Sequence, residues 1–287
     1  MDWEAIRCFV AVAEEGSFSA AASSVGLSVA TMTRRIDSLE STYGVRLFRR
    51  TPRGVRITDH GAVLLRHAQA SARHMASLAQ TARALGAAEG GVVIRVSSTE
   101  VIMSRVLAPR LAKLMEMAPQ VRLELEVDTG LADLVGGGVD IAVRLAKPTA
   151  PGLAARRLPR VGLSLYCSST YLAGRDPRQV QLERERLLWL DSKLKGIPEN
   201  LWLAEHGLEP AAVLRSGSFR ALELACVQGL GIAPLPEFIG RDLGLVEVLG
   251  PTLPARQPWI VFHRDSRNVR PMQLVRRWIA DTCQEAF

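Results

Sequence analysis

Four side chains in one short segment have the types and spacing to meet a nucleic acid. In Ser28–Tyr43, SVATMTRRIDSLESTY, a helical winding gathers Thr31, Arg34, Arg35 and Ser38 on one side. Hydroxyls and guanidinium groups have the reach and donor geometry for base edges and phosphates in a major groove. The other side repeats Met32, Ile36, Leu39 and Tyr43 at spacings of four, three and four, a stripe that a helix can bury. Ser28 is placed to cap this helix, after a tight turn at Gly26-Leu27. Downstream, Arg46, Arg49, Arg50, Arg53 and Arg56 surround Pro52 and Gly54, which suits a two-stranded wing lying over a phosphate backbone. Between Arg34 and Arg56 there are seven arginines against only Asp37 and Glu40. The net charge of +7 is therefore concentrated where a polyanion would lie.

Other chemistries find little support. The five histidines are scattered, and His67 and His74 stand seven apart rather than at the i, i+4 spacing of a helical metal pair. Cys8, Cys167, Cys226 and Cys283 form no CxxC and read as reduced small hydrophobes. GxSxG, P-loop, HExxH and GxGxxG motifs are absent. Ser97-Ser98-Thr99 could supply a nucleophile, but no base is identified beside it. No enzyme activity, metal or cofactor is expected. The opening Met-Asp-Trp-Glu has no basic region followed by an apolar run, and no apolar segment reaches the roughly 18 residues of a membrane span. A cytoplasmic chain without a membrane partner is the expectation.

The elements that would position these residues follow from periodicity. Asp2–Glu15 places Trp3, Ile6, Phe9, Val10 and Ala13 at helical spacing, and Ser19–Val25 is a short alanine-rich helix whose small side chains permit a close helix crossing. Thr58–Leu85 lacks proline and has Gly61 as its sole glycine, which allows one helix of roughly 40 Å. In it Leu64, Ala68, Ser71, Met75, Leu78, Ala82 and Leu85 alternate spacings of four and three, the period of a coiled-coil seam. Gly86–Gly91 reads as a hinge. Strand candidates then follow at Val92–Ser97, Val121–Val127, Asp140–Val143, Val161–Cys167, Leu187–Leu190, Ala212–Arg215, Gly231–Leu235 and Trp259–His263. Helices are expected around Leu107–Leu114, Leu131–Val135, Phe219–Gln228 and Met272–Cys283, with Pro148–Arg160 as a crossover. Alternating strands and helices imply mostly parallel sheets.

The run from Phe9 to Gly61 resembles the winged helix-turn-helix of LysR-type transcriptional regulators. Phe18, the alanines, Leu27-Ser28, Thr33-Arg34, Ile36, Leu39-Glu40, Gly44-Val45-Arg46-Leu47-Phe48, Arg50, Thr58 and Gly61 carry the likeness. The sequence departs from the common pattern at Val29-Ala30, where many members have glutamine followed by proline or serine, so a side-chain amide for base contact is missing. Val139–Arg144 and Gly229–Pro236 are shorter matches further along. The resemblance implies an α/β chain with an N-terminal winged helix-turn-helix over residues 1–58 and a long dimerising linker helix over 59–86. An effector-binding region over 87–287 would share the two-lobed architecture of periplasmic solute-binding proteins, lobe one at about 91–160 plus 265–287 and lobe two at about 161–264. A sequence-specific DNA-binding regulator modulated by a small molecule is the implied function. A solute-binding or enzymatic protein on the same two lobes, and an architectural DNA-binder that senses nothing, are its rivals.

The DNA-contacting residues are then expected to be Ser28, Ala30, Thr31, Thr33, Arg34, Arg35, Arg50, Arg53 and Arg56. In open parallel sheets ligands lie beyond the carboxyl ends of strands, which points to Ser98, Thr99 and Thr129 as effector contacts, with Arg144 and Phe219 beside them. Arg144 would favour an anion such as a carboxylate. Promoter DNA, the effector, a homodimer that assembles to a tetramer, and RNA polymerase complete the expected partners.

Overall fold

The computed structural model describes residues 2–51, 54–85, 91–128, 138–150, 152–194 and 196–287, with the backbone alone at 50, 73, 74, 76, 77, 79–81 and 83–85. The chain divides into two compact units, the first formed by residues 1–82 and the second by 83–134 and 138–287. The expectations for Arg53, Thr129, the helix at 131–135 and most of the 86–91 hinge lie outside the described residues.

In the first unit α1 (Trp3–Glu15) is capped by the Asp2 carboxylate, which accepts from Glu4 N. Helix α2 (Phe18–Ser24) is capped by Ser17, whose side chain accepts from Ala20 N. Helix α3 (Val29–Tyr43) is capped by Ser28, whose Oγ accepts from Thr31 N at 3.1 Å. Apolar faces of the three helices meet in one core with Ile6, Phe9, Val12, Met32, Ile36, Leu39 and Leu47. Tyr43 is not among them. It closes the helix at 40% exposure, and the buried position on that side of the last turns belongs to Glu40 instead. Strands β1 (Phe48–Thr51) and β2 (Gly54–Ile57) form an antiparallel hairpin. At Gly54 a Cβ would come within 2.8 Å of Gly16 O, the carbonyl that Val55 N bonds, so glycine lets the hairpin lie against the turn that ends α1. Helix α4 (Asp59–Leu85) starts from Thr58, whose hydroxyl accepts from Gly61 N and donates to Arg46 O at 2.6 Å. Among the described residues no helix is long and apolar enough to cross a membrane.

The second unit has two hydrophobic cores, one per lobe. Lobe one is built on β3 (Val92–Ser98), β4 (Val121–Val127), β5 (Ile141–Arg144), β6 (Leu153–Arg157) and, from late in the chain, β12 (Trp259–His263), in the order β4-β3-β5-β12-β6. Helix α5 (Leu111–Met117) and the closing helix α10 (Arg270–Ala286) supply Leu114, Met272, Val275, Trp278 and Ile279 to its core. Lobe two places β7 (Leu163–Cys167) between β10 (Ala233–Pro236) and β11 (Val246–Val248), and pairs β8 (Leu187–Leu190) with β9 (Ala212–Ser216). Its helices are α6 (Ser169–Leu172), α7 (Pro198–Glu205), α8 (Phe219–Val227) and α9 (Glu237–Asp242).

Three expectations are corrected here. The stretch 148–160 is not only a crossover, because β6 lies within it. Trp259–His263 does not belong to the second lobe: it pairs with β5 and β6 of the first, so the return crossing precedes residue 259. The sheets are mixed rather than mostly parallel. β3 runs parallel to β4 and β5, but β7 is antiparallel to both its neighbours and β12 to both of its own. These reversed strands are the first in each lobe after the chain changes lobe. A strand reached by a direct connection, without an intervening helix to carry the chain back, arrives in the opposite sense. The two crossings themselves pair, Val161 and Arg256 exchanging both backbone hydrogen bonds at 2.9 Å. Arg256 also holds the buried Glu199 of α7 by two bonds of 2.7 and 2.5 Å.

Candidate nucleic-acid interface and effector site

The Ser28 cap fixes where α3 begins and therefore which of its side chains stay outside. Ser28, Val29 and Ala30 are exposed in the first turn, Thr31 and Thr33 are half-buried, and Arg34 is exposed. Thr31 Oγ1 shares a 2.9 Å hydrogen bond with Ser28 Oγ, so both hydroxyls are oriented before any base edge arrives. Val29 and Ala30 leave only apolar contact at the first turn, of the kind that meets thymine methyl groups. Arg35 departs from the expected exposed row. Its guanidinium donates to Glu4 Oε2 at 2.8 Å and is half-buried against α1, because residues 34 and 35 stand about 100° apart on a helix of 3.6 residues per turn. That ion pair ties α3 to α1 while leaving the guanidinium partly exposed.

Glu40 was not singled out by its type or spacing, yet it organises the region between α3 and the wing. Its carboxylate is 7% exposed and accepts from Leu47 N at 2.7 Å, Phe48 N at 3.2 Å and Arg46 Nη1 at 2.7 Å. Those bonds set the angle at which the chain leaves α3 for β1. At Gly61 a Cβ would lie 2.3 Å from Leu47 O, so glycine permits the first turn of α4 to close over the same stretch. Replacing Glu40 with alanine strips a buried N–H of its partner and should destabilise the first unit by about 3 kcal/mol. Glu40→Gln, which keeps one acceptor, should lose less. Chemical denaturation followed by a signal from this unit checks both, and equal midpoints for wild type and Glu40→Ala would contradict the role.

In the wing, Arg49 stands directly opposite Arg56 in the hairpin register, both exposed. Like charges facing each other across a strand pair are unfavourable in a free protein and are relieved by an anion. Sequence reasoning named Arg56 as a contact but not Arg49. The signal for Arg49 was the antiparallel pairing, which is invisible until the turn length is known. At Arg50 only the backbone is described.

In the second unit two of the expected effector residues, Ser98 and Thr99, lie at the end of β3. Ser98 is its last residue, and its fully buried Oγ has no hydrogen-bond partner among the described residues. Thr99 follows, its carbonyl accepting from Met103 N as the chain turns into a helix. Phe219 opens α8 in the other lobe, and the two are brought near each other by their neighbours. Both carboxylate oxygens of Glu100 lie 3.0 Å from Ser218 Oγ. Arg144 ends β5, an interior strand of its sheet. It is 3% exposed, donates to Ser97 Oγ at 2.9 Å and stands 3.6 Å from Asp128 Oδ2. Asp140 accepts from Arg95 N at 2.7 Å.

The four cysteines are buried and unbridged. Burial pushes the thiol of Cys167 up to about 11 and those of Cys226 and Cys283 up to about 12, which leaves them as unreactive thiols at neutral pH. Among the described residues no group of His, Cys, Asp or Glu is arranged to hold a metal.

Comparison with known proteins places both units. Residues 3–62 match the model of the bacterial regulatory helix-turn-helix proteins of the lysR family, and residues 87–284 match the LysR substrate binding domain. An HTH-type transcriptional repressor of Pseudomonas aeruginosa is 30% identical over 87% of this chain and 80% of its own. The HTH-type transcriptional regulator CrgA of Neisseria meningitidis is 31% identical over 82% of this chain and 80% of its own. The solved CrgA structure aligns over 98% of both chains with a TM-score of 0.58. The full-length regulator LysG of Corynebacterium glutamicum, solved with its bound effector Arg, shares the fold over 100% of this chain and 99% of its own, with a TM-score of 0.62 at 18% identity.

Proposed function

The chain belongs to the LysR family of bacterial transcriptional regulators, and from that premise we propose which of its residues read DNA and where its effector sits. As a member it binds promoter DNA through its helix-turn-helix, responds to a small-molecule effector and assembles into oligomers. These are not the properties of an enzyme or of an exported solute carrier. The reading surface is the exposed first turns of α3, with Ser28, Ala30, Thr31, Thr33 and Arg34 toward the bases. Arg50, Arg53 and Arg56, joined by Arg49, face phosphates. It acts in the cytoplasm on a two-fold promoter site as a homodimer paired through α4, two dimers making a tetramer, with RNA polymerase as the further partner.

The effector sits between the lobes at the end of β3, against Ser98, Thr99 and Phe219, with Thr129 as a further candidate from the sequence. One observation carries this placement: the buried Ser98 hydroxyl with no described partner, in a protein where such groups are rare and costly unless something bonds them. With Arg144 committed to Ser97 and Asp128, a carboxylate effector would have to be held by hydroxyls and backbone N–H groups. A thermal-shift screen should therefore take in both small carboxylates and amino acids, the arginine bound by LysG included. A ligand that binds only the folded state raises the midpoint with its concentration, by about 2.7 kcal/mol of stability at a hundredfold excess over Kd. The shift should vanish in Thr99→Val, which removes a hydroxyl at nearly constant volume. A stabilising ligand whose affinity ignores changes at Ser98 and Thr99 would place the pocket elsewhere.

A further inference from the structure

Beyond β3 the chain enters a helix whose winding is unusual, and the side chains it aligns are used by neither the reader nor the pocket. Residues Ile102–Leu107 are wound as a π-helix before a 3-10 turn at Ala108–Arg110. Glu100 and Arg105 stand five residues apart. At 3.6 residues per turn they would point about 140° away from each other, but hydrogen bonds running from i to i+5 bring such a pair toward one face. Both reach α8 of the other lobe. Glu100 accepts from Ser218 Oγ, the hydroxyl that also caps α8 by accepting from Ala221 N at 3.3 Å. Arg105 donates through Nε at 3.2 Å, and through Nη2, to the carboxylate of Glu223. Glu223 is 3% exposed and also receives Arg220.

The arrangement joins a polar clamp to a backbone that has a second, ordinary way to wind. A buried carboxylate bound by an arginine from each lobe is costly to leave half-paired, and Glu100 beside the N-terminus of α8 adds a favourable charge there. Returning the segment to α-winding would shift its hydrogen-bond register by one and turn Arg105 about 100° from Glu223. Switching elements are of this kind, with two discrete packings of one segment.

We propose that the π-wound turn at Ile102–Leu107 is a latch holding the two lobes together, Glu100 and Arg105 being the positioning residues that grip α8 through Ser218 and Glu223. Effector occupancy two residues upstream, at Ser98 and Thr99, would operate it; that last step rests on the placement of the effector, whereas the latch itself is tested with no ligand present. Amide hydrogen exchange on the full-length chain reads it directly. Arg105→Met should speed exchange of the amides at 219–227 about tenfold while those of β8 keep their protection. Glu223→Gln should do the same, and the double variant should be no faster than the faster single, since both changes break one interaction. Unchanged exchange in Arg105→Met, or two single effects that add, overturns the latch.

Discussion

Replacing Arg49 and Arg56 together with alanine should abolish tight DNA binding and leave the folded chain at least as stable as before. The two guanidinium groups face each other across β1 and β2 and are exposed. In the free protein that pairing is unfavourable, by a few tenths to about 1 kcal/mol relative to neutral neighbours. A DNA backbone reverses the balance, because each arginine placed on a phosphate releases condensed counterions. Each single change should weaken binding about tenfold at moderate salt and lower the salt slope by about 0.9. The double should lower the slope by about 1.8, whatever the DNA sequence. Binding titrations over a range of salt, beside denaturation of the free protein, check both halves. An unchanged slope would remove the hairpin from the interface, and a marked loss of stability would make the arginine pair structural.

A comparably large effect is expected in the long helix, but only in its second half. The seam read from the sequence divides in the structure. Ala68 is buried in the core of its own unit and Leu64 packs against that core, whereas Met75 is 40% and Leu78 61% exposed, with Ser71 and Ala82 exposed as well. Leu78→Asp should therefore separate subunits without unfolding either. Each dimer would bury two unpaired carboxylates, and one alone costs about 4 kcal/mol, so the dimer dissociation constant should rise by at least roughly a thousandfold. Ala68→Asp should instead unfold the first unit, so loss of dimer in that variant would say nothing about pairing. Light scattering and circular dichroism separate the outcomes. A folded Leu78→Asp chain of unaltered mass would move the subunit interface away from α4.

The reader was legible because short-range rules fix it. Serine before Val29 and an apolar stripe through Met32, Ile36 and Leu39 each act within a few residues, and each holds. What stayed hidden there depends on distant partners. Arg35 reads as a surface cation until Glu4 of α1 is beside it, and Glu40 as a solvated acid until the N–H groups of Leu47 and Phe48 turn onto it. In the second unit most strands were legible from apolar runs, but their order was not. The insertion of β12 between β5 and β6 joins residues more than a hundred apart in the chain, and no local pattern encodes that. The bond of Arg144 to Ser97 of β3 and its approach to Asp128 depend on the same strand order. The π-winding at Ile102–Leu107 leaves no mark in hydrophobic periodicity, so the shared face of Glu100 and Arg105 was out of reach.

Footprinting the intergenic DNA beside the chain's own gene, with and without a compound found to stabilise the protein, tests binding and sensing in one measurement. The account predicts a protected two-fold site that depends on Arg34, and a change in its extent or strength when the compound is added. That change should be absent in Thr99→Val. Protection that is indifferent both to Arg34→Ala and to every stabilising compound would contradict it.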